Sequence, residues 1–164
     1  MQVKQTAHRI LGIDPGTGIL GFGIIDVDAK GKLTMVDAGV IRTPVNHPDY
    51  DRLLMIYNDL VGIVEEFKPT IMSVEKLFFA QNITTAMTVS QARGVVLLLG
   101  KQHNMELFEY TPQQIKQALT GYGKATKKQM QEMVKVILGL KEQPKPDDCA
   151  DALAAAICYS MTMR

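Results

Sequence analysis

Between Ile10 and Arg42 the sequence holds three β-rich runs separated by turn clusters, and beyond them apolar periodicity alternates between helix and strand spacing. Ile10–Leu11–Gly12–Ile13–Asp14 reads as a buried strand broken by Pro15–Gly16–Thr17–Gly18. Residues 20–27 and 33–42 follow as two more strands across the turn-like Asp28–Lys32 stretch, so the chain opens as an antiparallel meander. Leu53, Leu54, Tyr57, Leu60, Val61, Val64 and Phe67 then fall at helical spacing and Pro69 closes the run. Thr70–Glu75 has strand length, and a strand reached through a helix is usually parallel to its predecessor.

The rest continues the alternation. A helix is expected over about 84–103, a strand over 105–110, and a helix from Pro112 to about Leu119. Thr126 with Gln129 forms a capping-box start for a helix reaching Leu138, and a last helix begins near Asp147. The order β-β-β-α-β-α-β-α-α-α predicts an α/β fold, a mixed five-stranded sheet with helices on both faces, in one domain spanning residues 1–164.

Composition narrows the function classes. Apolar residues make up 46% and charged residues 21%, so the chain can bury a core and is a poor candidate for disorder. A formal charge of +1 provides no global basic field, so any polyanion must meet a local patch. Uninterrupted apolar runs such as Val95–Leu99 are far shorter than the roughly 20 residues of a membrane span. The first residues lack a signal-peptide core, and the expectation is a soluble, cytoplasmic protein. Cys149 and Cys158 sit in an apolar stretch without ligand-spaced partners and read as reduced core residues. His8, His47 and His103 match no motif and read as surface residues.

Carboxylates interrupt or terminate apolar elements at three places: Asp14, Glu75 and the cluster Asp147–Asp148–Cys149–Ala150–Asp151. If the first and fourth strands are neighbours, about 4.8 Å apart, Asp14 and Glu75 can share an ion. Asp148 and Asp151, three apart on a helix, share a face; Asp147 and Asp151 are also neighbours, and spacing does not choose between Asp147 and Asp148. Ala152, Ala155 and Tyr159 lie near that face, with Leu153, Ile157 and Cys149 expected to point elsewhere. Clustered carboxylates repel until hard cations relieve them, which favours Mg2+, or Mn2+ in its place. Two ions suit phosphodiester hydrolysis by an activated water. Taken singly, Asp14 fits turn chemistry and Asp148 fits helix capping; Glu75 has no capping role.

Gly12–Ile13–Asp14–Pro15–Gly16–Thr17, Ser73–Val74–Glu75–Lys76–Leu77–Phe78, Gln91–Ala92–Arg93–Gly94 and Asp148–Cys149–Ala150–Asp151–Ala152–Leu153–Ala154 together resemble the RuvC family of bacterial Holliday-junction resolvases. The resemblance implies an RNase H-like fold and a homodimeric, magnesium-dependent endonuclease that nicks two symmetry-related strands of a four-way DNA junction in recombination and repair. It implies Asp14, Glu75, Asp148 and Asp151 as metal-binding catalytic residues, the family's pattern selecting Asp148 over Asp147. It also implies the branch-migration complex of RuvA and RuvB as partner. Phe78 matches the aromatic that holds the junction open, with Phe79 beside it. Lys116 and Lys127 match basic positions near DNA, and Lys124 and Lys128 belong to the same local positive excess. Arg93 is expected either to touch phosphate or to support the active-site loop.

Paired incision requires two subunits, for which Met87, Val95 and Leu98 offer an interface. Three other classes compete. Asp14–Pro15–Gly16–Thr17 also looks like a phosphate loop of actin-like ATPases, although the chain is short for their second domain. The others are a non-catalytic DNA-binding module and a nuclease acting on RNA or another branched intermediate.

Overall fold

The computed structural model describes residues 6–76 and 83–163. Phe78 and Phe79 therefore lie outside the described residues. The strands are β1 (Thr6–Asp14), β2 (Ile19–Asp28), β3 (Leu33–Arg42), β4 (Ile71–Glu75) and β5 (Glu106–Tyr110). The helices are α1 (Asp49–Phe67), α2 (Ile83–Gln102), α3 (Pro112–Thr120), α4 (Lys127–Leu138) and α5 (Asp147–Thr162). They form one sheet in the order β3-β2-β1-β4-β5, antiparallel from β3 to β1 and parallel from β1 to β5. The expected element order and mixed sheet are both observed, and β1 begins four residues earlier than its apolar core suggests.

Alternation of side chains along the strands builds a core on each face. Leu11, Ile13, Leu20, Ile24, Met72 and Val74 pack with Ile56 and Leu60 of α1 and Val96 and Leu99 of α2. On the other face Ile10, Ile25 and Ile71 meet α3, α4 and α5. Arg9 on β1 grips Asp26 on β2 through Nε and Nη2, at 2.7 and 2.9 Å, and its Nη1 donates to the Phe67 carbonyl that ends α1.

Thr126 and Gln129 form the expected capping box at the start of α4, and Thr111 with Gln114 forms another at α3. Cys149 and Cys158 are free and buried, as expected. By length and composition α2 is the one helix among the described residues that could cross a bilayer. The short run Val95–Leu99 therefore understated its apolar length; its Ala92, Val96 and Leu99 are buried in the core.

Candidate active site

The acids converge because α5 lies almost directly on the backbone of the central strands. Gly23, Gly12 and Ser73 stand side by side in register across β2, β1 and β4. A Cβ on Gly12 would lie 2.0 Å from the Ala152 carbonyl oxygen and 2.9 Å from the Ala156 amide; one on Gly21 would lie 2.0 Å from the Asp148 carbonyl. Only glycine permits this approach. The Ser73 hydroxyl donates at 2.6 Å to the Ala155 carbonyl and tacks the helix to β4. Leu153, expected to point elsewhere, instead lies over Gly23, because α5 is buried on nearly every side from Cys149 to Ser160.

Asp14 is two residues beyond Gly12 and Glu75 two beyond Ser73, so both project on the face that α5 covers. Their carboxyls hydrogen-bond to each other. Burial, followed by the charges of Glu75, Asp151 and Asp148, pushes the Asp14 carboxyl up to about 8. Burial and Asp151 also raise Glu75, while its bond to Asp14 and the charge of Lys116 oppose the rise. Asp151 is raised chiefly by burial, with Lys127 and Lys116 opposing. Asp147 instead pairs at 3.3 Å with Lys127 on the rim, where both side chains are largely exposed.

Three adjoining clefts surround these groups. One of about 230 Å³ is lined by Glu75 and Asp151 facing Lys116 and Lys127. A second, about 240 Å³, runs along Asp14, Pro15, Glu75, Lys76 and Arg93. Lys116 also borders a third, about 370 Å³, that ends at Gly123 and Lys124. Acids at the floor and lysines along one wall are arranged for a polyanion whose charge needs neutralising at one point. Lys128 is exposed on α4 and lines none of these clefts.

Arg93 lines the second cleft and pairs with Glu109 of β5, which fixes its head near Asp14 and Glu75. Its Nε is buried and lacks a partner among the described residues. Sequence reasoning assigned no role to Lys76, Glu109 or Ser73. Lys76 stood inside a motif already singled out, whereas Glu109 became visible only once β5 was placed beside β4.

The donor set is wholly carboxylate oxygen, the chemistry preferred by hard divalent cations, and the raised proton affinity of Asp14 reflects first its burial and then the neighbouring negative charges of Glu75, Asp151 and Asp148. The residues fit such an ion. In the present arrangement, with Asp14 bonded to Glu75, no three ligating side chains among the described residues close round a single point.

A mixed sheet in this order, with carboxylates ending its two central strands and a third acidic element laid across them, defines an RNase H-like nuclease fold. The profile of the family described as "Crossover junction endodeoxyribonuclease RuvC" matches residues 10–159. The chain is 51% identical over 154 residues to the crossover junction endodeoxyribonuclease RuvC of Chloroflexus aggregans, covering 94% of this chain and 93% of that protein. The Thermus thermophilus RuvC structure superposes with a TM-score of 0.88 at 36% identity, covering 95% of each chain. The same protein in complex with Holliday junction substrate gives 0.86 at 33%, again covering 95% of each. The chain belongs to the RuvC family of crossover junction endodeoxyribonucleases.

Proposed function

We propose that this chain, one RNase H-like nuclease domain, resolves Holliday junctions as a homodimer by metal-dependent phosphodiester hydrolysis during recombination and repair. The observation that carries the reading is the convergence of Asp14, Glu75, Asp148 and Asp151 from β1, β4 and α5 beside a lysine-lined cleft. Mg2+, with Mn2+ able to replace it, is the natural ion, and two per site would activate a water, clamp the scissile phosphate and stabilise the departing 3′ oxygen. Asp14, Glu75, Asp148 and Asp151 would hold the ions through their carboxylate oxygens, and the ions' charge would relieve the crowding of these acids. Lys116 and Lys127 neutralise the strand's phosphates on one side, and Lys124 and Lys128 extend that charge outward. Arg93, held by Glu109, presents a guanidinium along the floor of the cleft.

Phe78 and Phe79 come three and four residues after Glu75 in the sequence, and their aromatic rings have the chemistry to stack on unpaired bases at the branch point. One acid cluster per chain and the two-fold symmetry of a junction require two copies. The exposed apolar side of α2, with Ile83 80%, Met87 62% and Leu98 57% exposed, is the face offered to the second copy. Val95 is partly buried against the core beside this stripe. Branch-migration proteins RuvA and RuvB are the expected partners in the cytoplasm, where the DNA lies.

The test is a cleavage assay comparing a four-way junction, duplex DNA and an RNA–DNA hybrid, with mapped nick positions and divalent ions supplied or chelated. Paired, metal-dependent nicks confined to the junction are expected. Equal cutting of duplex or hybrid would refute junction selectivity, and tight junction binding without any nick would identify a binding module.

A further inference from the structure

Arg52, in the first turn of α1, is held by one nitrogen. Its Nε donates at 2.9 Å to the hydroxyl of Thr43, the residue following β3. Thr43 is buried; its hydroxyl donates at 2.5 Å to the Thr17 carbonyl, and its amide at 3.0 Å to the Gly18 carbonyl. The start of α1, the end of β3 and the turn that leaves Asp14 are thereby joined.

This fastening leaves the other end of the guanidinium open. The ion pairs among the described residues are Arg9–Asp26, Arg93–Glu109 and Lys127–Asp147, so neither Asp49 nor Asp51, on the same turn of α1, is bonded to Arg52. The Nη2 atom lies over the turn: a Cβ on Gly18 would stand 3.2 Å from it, and glycine leaves that seat clear. Among the described residues the amides of Gly16, Thr17 and Gly18 donate to no backbone carbonyl. Arg42, the register partner of Ile19, adds an exposed cation immediately beyond the turn.

A guanidinium anchored through Nε has already lost its rotamer freedom and presents a planar fork whose Nη atoms bond to no group among the described residues, which suits a phosphate. The turn joins β1 to β2, on one side of Asp14 in the sheet, whereas Pro112 and Lys116 follow β5 on the other. We infer that Arg52 and the Pro15–Gly18 turn grip a backbone phosphate of the cleaved DNA strand, on the flank of the acid cluster opposite Lys116, Lys124 and Lys127. The phosphate is a neighbour of the scissile one, since Arg52 sits over Gly18, four residues beyond Asp14. This rests on the junction-nuclease reading and adds a second bank to its DNA channel.

The test measures binding to four-way junctions that carry a single neutral methylphosphonate at successive positions of the cleaved strand, by fluorescence anisotropy with metal chelated. For the wild type, one position beside the nick should weaken binding about fivefold, the upper end for a partly exposed ion pair. Arg52→Gln should bind less tightly and be indifferent to that position. Its plot of log affinity against log salt should be shallower by about one unit. Arg52→Lys, which keeps the charge, should retain the salt slope and lose part of the positional effect; it also serves if the Gln variant melts early. A wild-type salt slope and positional pattern in Arg52→Gln, with cleavage alone reduced, would make Arg52 only a fastener and overturn the inference. A wild-type protein that does not prefer the junction to duplex would overturn the junction reading itself and this inference with it.

Discussion

The carbonyl oxygen of Ala152 occupies the space that any side chain on Gly12 would need, 2.0 Å from where its Cβ would stand. Helix α5 thus rests on bare strand backbone, and that contact delivers Asp148 and Asp151 to Asp14. Gly12→Ala should lift the helix and cost about 3 kcal/mol in a urea melt. Cleavage should fall about a hundredfold even where the variant remains folded, because the carboxylates lose their mutual placement. Gly62→Ala on α1, where a Cβ meets nothing within 4 Å, is the control and should stabilise by about 0.5–1 kcal/mol. Equal tolerance of both substitutions would show that α5 is not seated by Gly12.

Asp14→Asn and Glu75→Gln preserve shape and remove from the buried pair a group able to act as a carboxylate. Each should lower the single-turnover cleavage rate by about a thousandfold or more, the scale of losing a central electrostatic element. Junction affinity should hold, since neither substitution removes a cation or adds negative charge facing the phosphates. Retained cleavage in either variant would remove that residue from the catalytic set.

The raised Asp14 carboxyl makes stability depend on pH. Its pKa is about 8 in the fold against an ordinary 3.8, so the folded state holds the proton more tightly. The stabilisation is complete below the unfolded value and is lost as pH rises through about 8. With metal chelated, Tm should therefore fall from pH 5 to pH 8.5, and Glu75, raised as well, acts in the same direction. Asp14→Asn should flatten this dependence and be the more stable protein at pH 8.5 by ~1–3 kcal/mol, one pKa unit being worth ~1.4 kcal/mol. Millimolar Mg2+ should raise the wild-type Tm most at the alkaline end. A wild-type Tm that rises over this range in chelator would contradict the crowding of these carboxylates.

The elements and the acids were legible because both signals are local. Period-2 and helical runs, turn clusters and the Thr126–Gln129 capping box mark their own positions, and a carboxylate ending an apolar strand stands out from its neighbours. What depends on register across distant segments was hidden. Leu153 was expected to point away from the sheet, yet it covers Gly23, because nothing local announces that the β2 and β1 glycines align into a seat for α5. The Arg93–Glu109 pair needs β5 placed next to β4, and the Arg52–Thr43–Thr17 chain needs three segments brought together. Each is a tertiary coincidence without a periodic signature.

The exposed stripe on α2 offers a test of the proposed dimer. Leu98→Glu places a charge on a face that is open in the single chain, so the monomer should fold with unchanged near-ultraviolet circular dichroism. Sedimentation should show the dimer weakened about tenfold or more, since a buried unpaired charge is costly. Nicking should shift from paired to single strands. An unaltered dimer in both Leu98→Glu and Met87→Glu would place the interface elsewhere.

Asp147 and Asp148 are adjacent in the chain, yet the fold gives them different surroundings. Asp148 has its backbone against Gly21, the register partner of Asp14, and its charge acts on the Asp14 carboxyl. Asp147 reaches outward to Lys127 in an ion pair whose side chains are 57% and 59% exposed, a geometry that contributes little to stability. Asp148→Asn should therefore lower cleavage about a hundredfold by removing one oxygen ligand. Asp147→Asn should leave the cleavage rate within about threefold and slightly tighten junction binding, because Lys127 is then released to phosphate. Rates measured at saturating enzyme separate the two effects. The reverse ranking would mean that α5 presents its first acid, not its second, to the metal, and the placement of the helix over Gly21 would have to be revised by one residue.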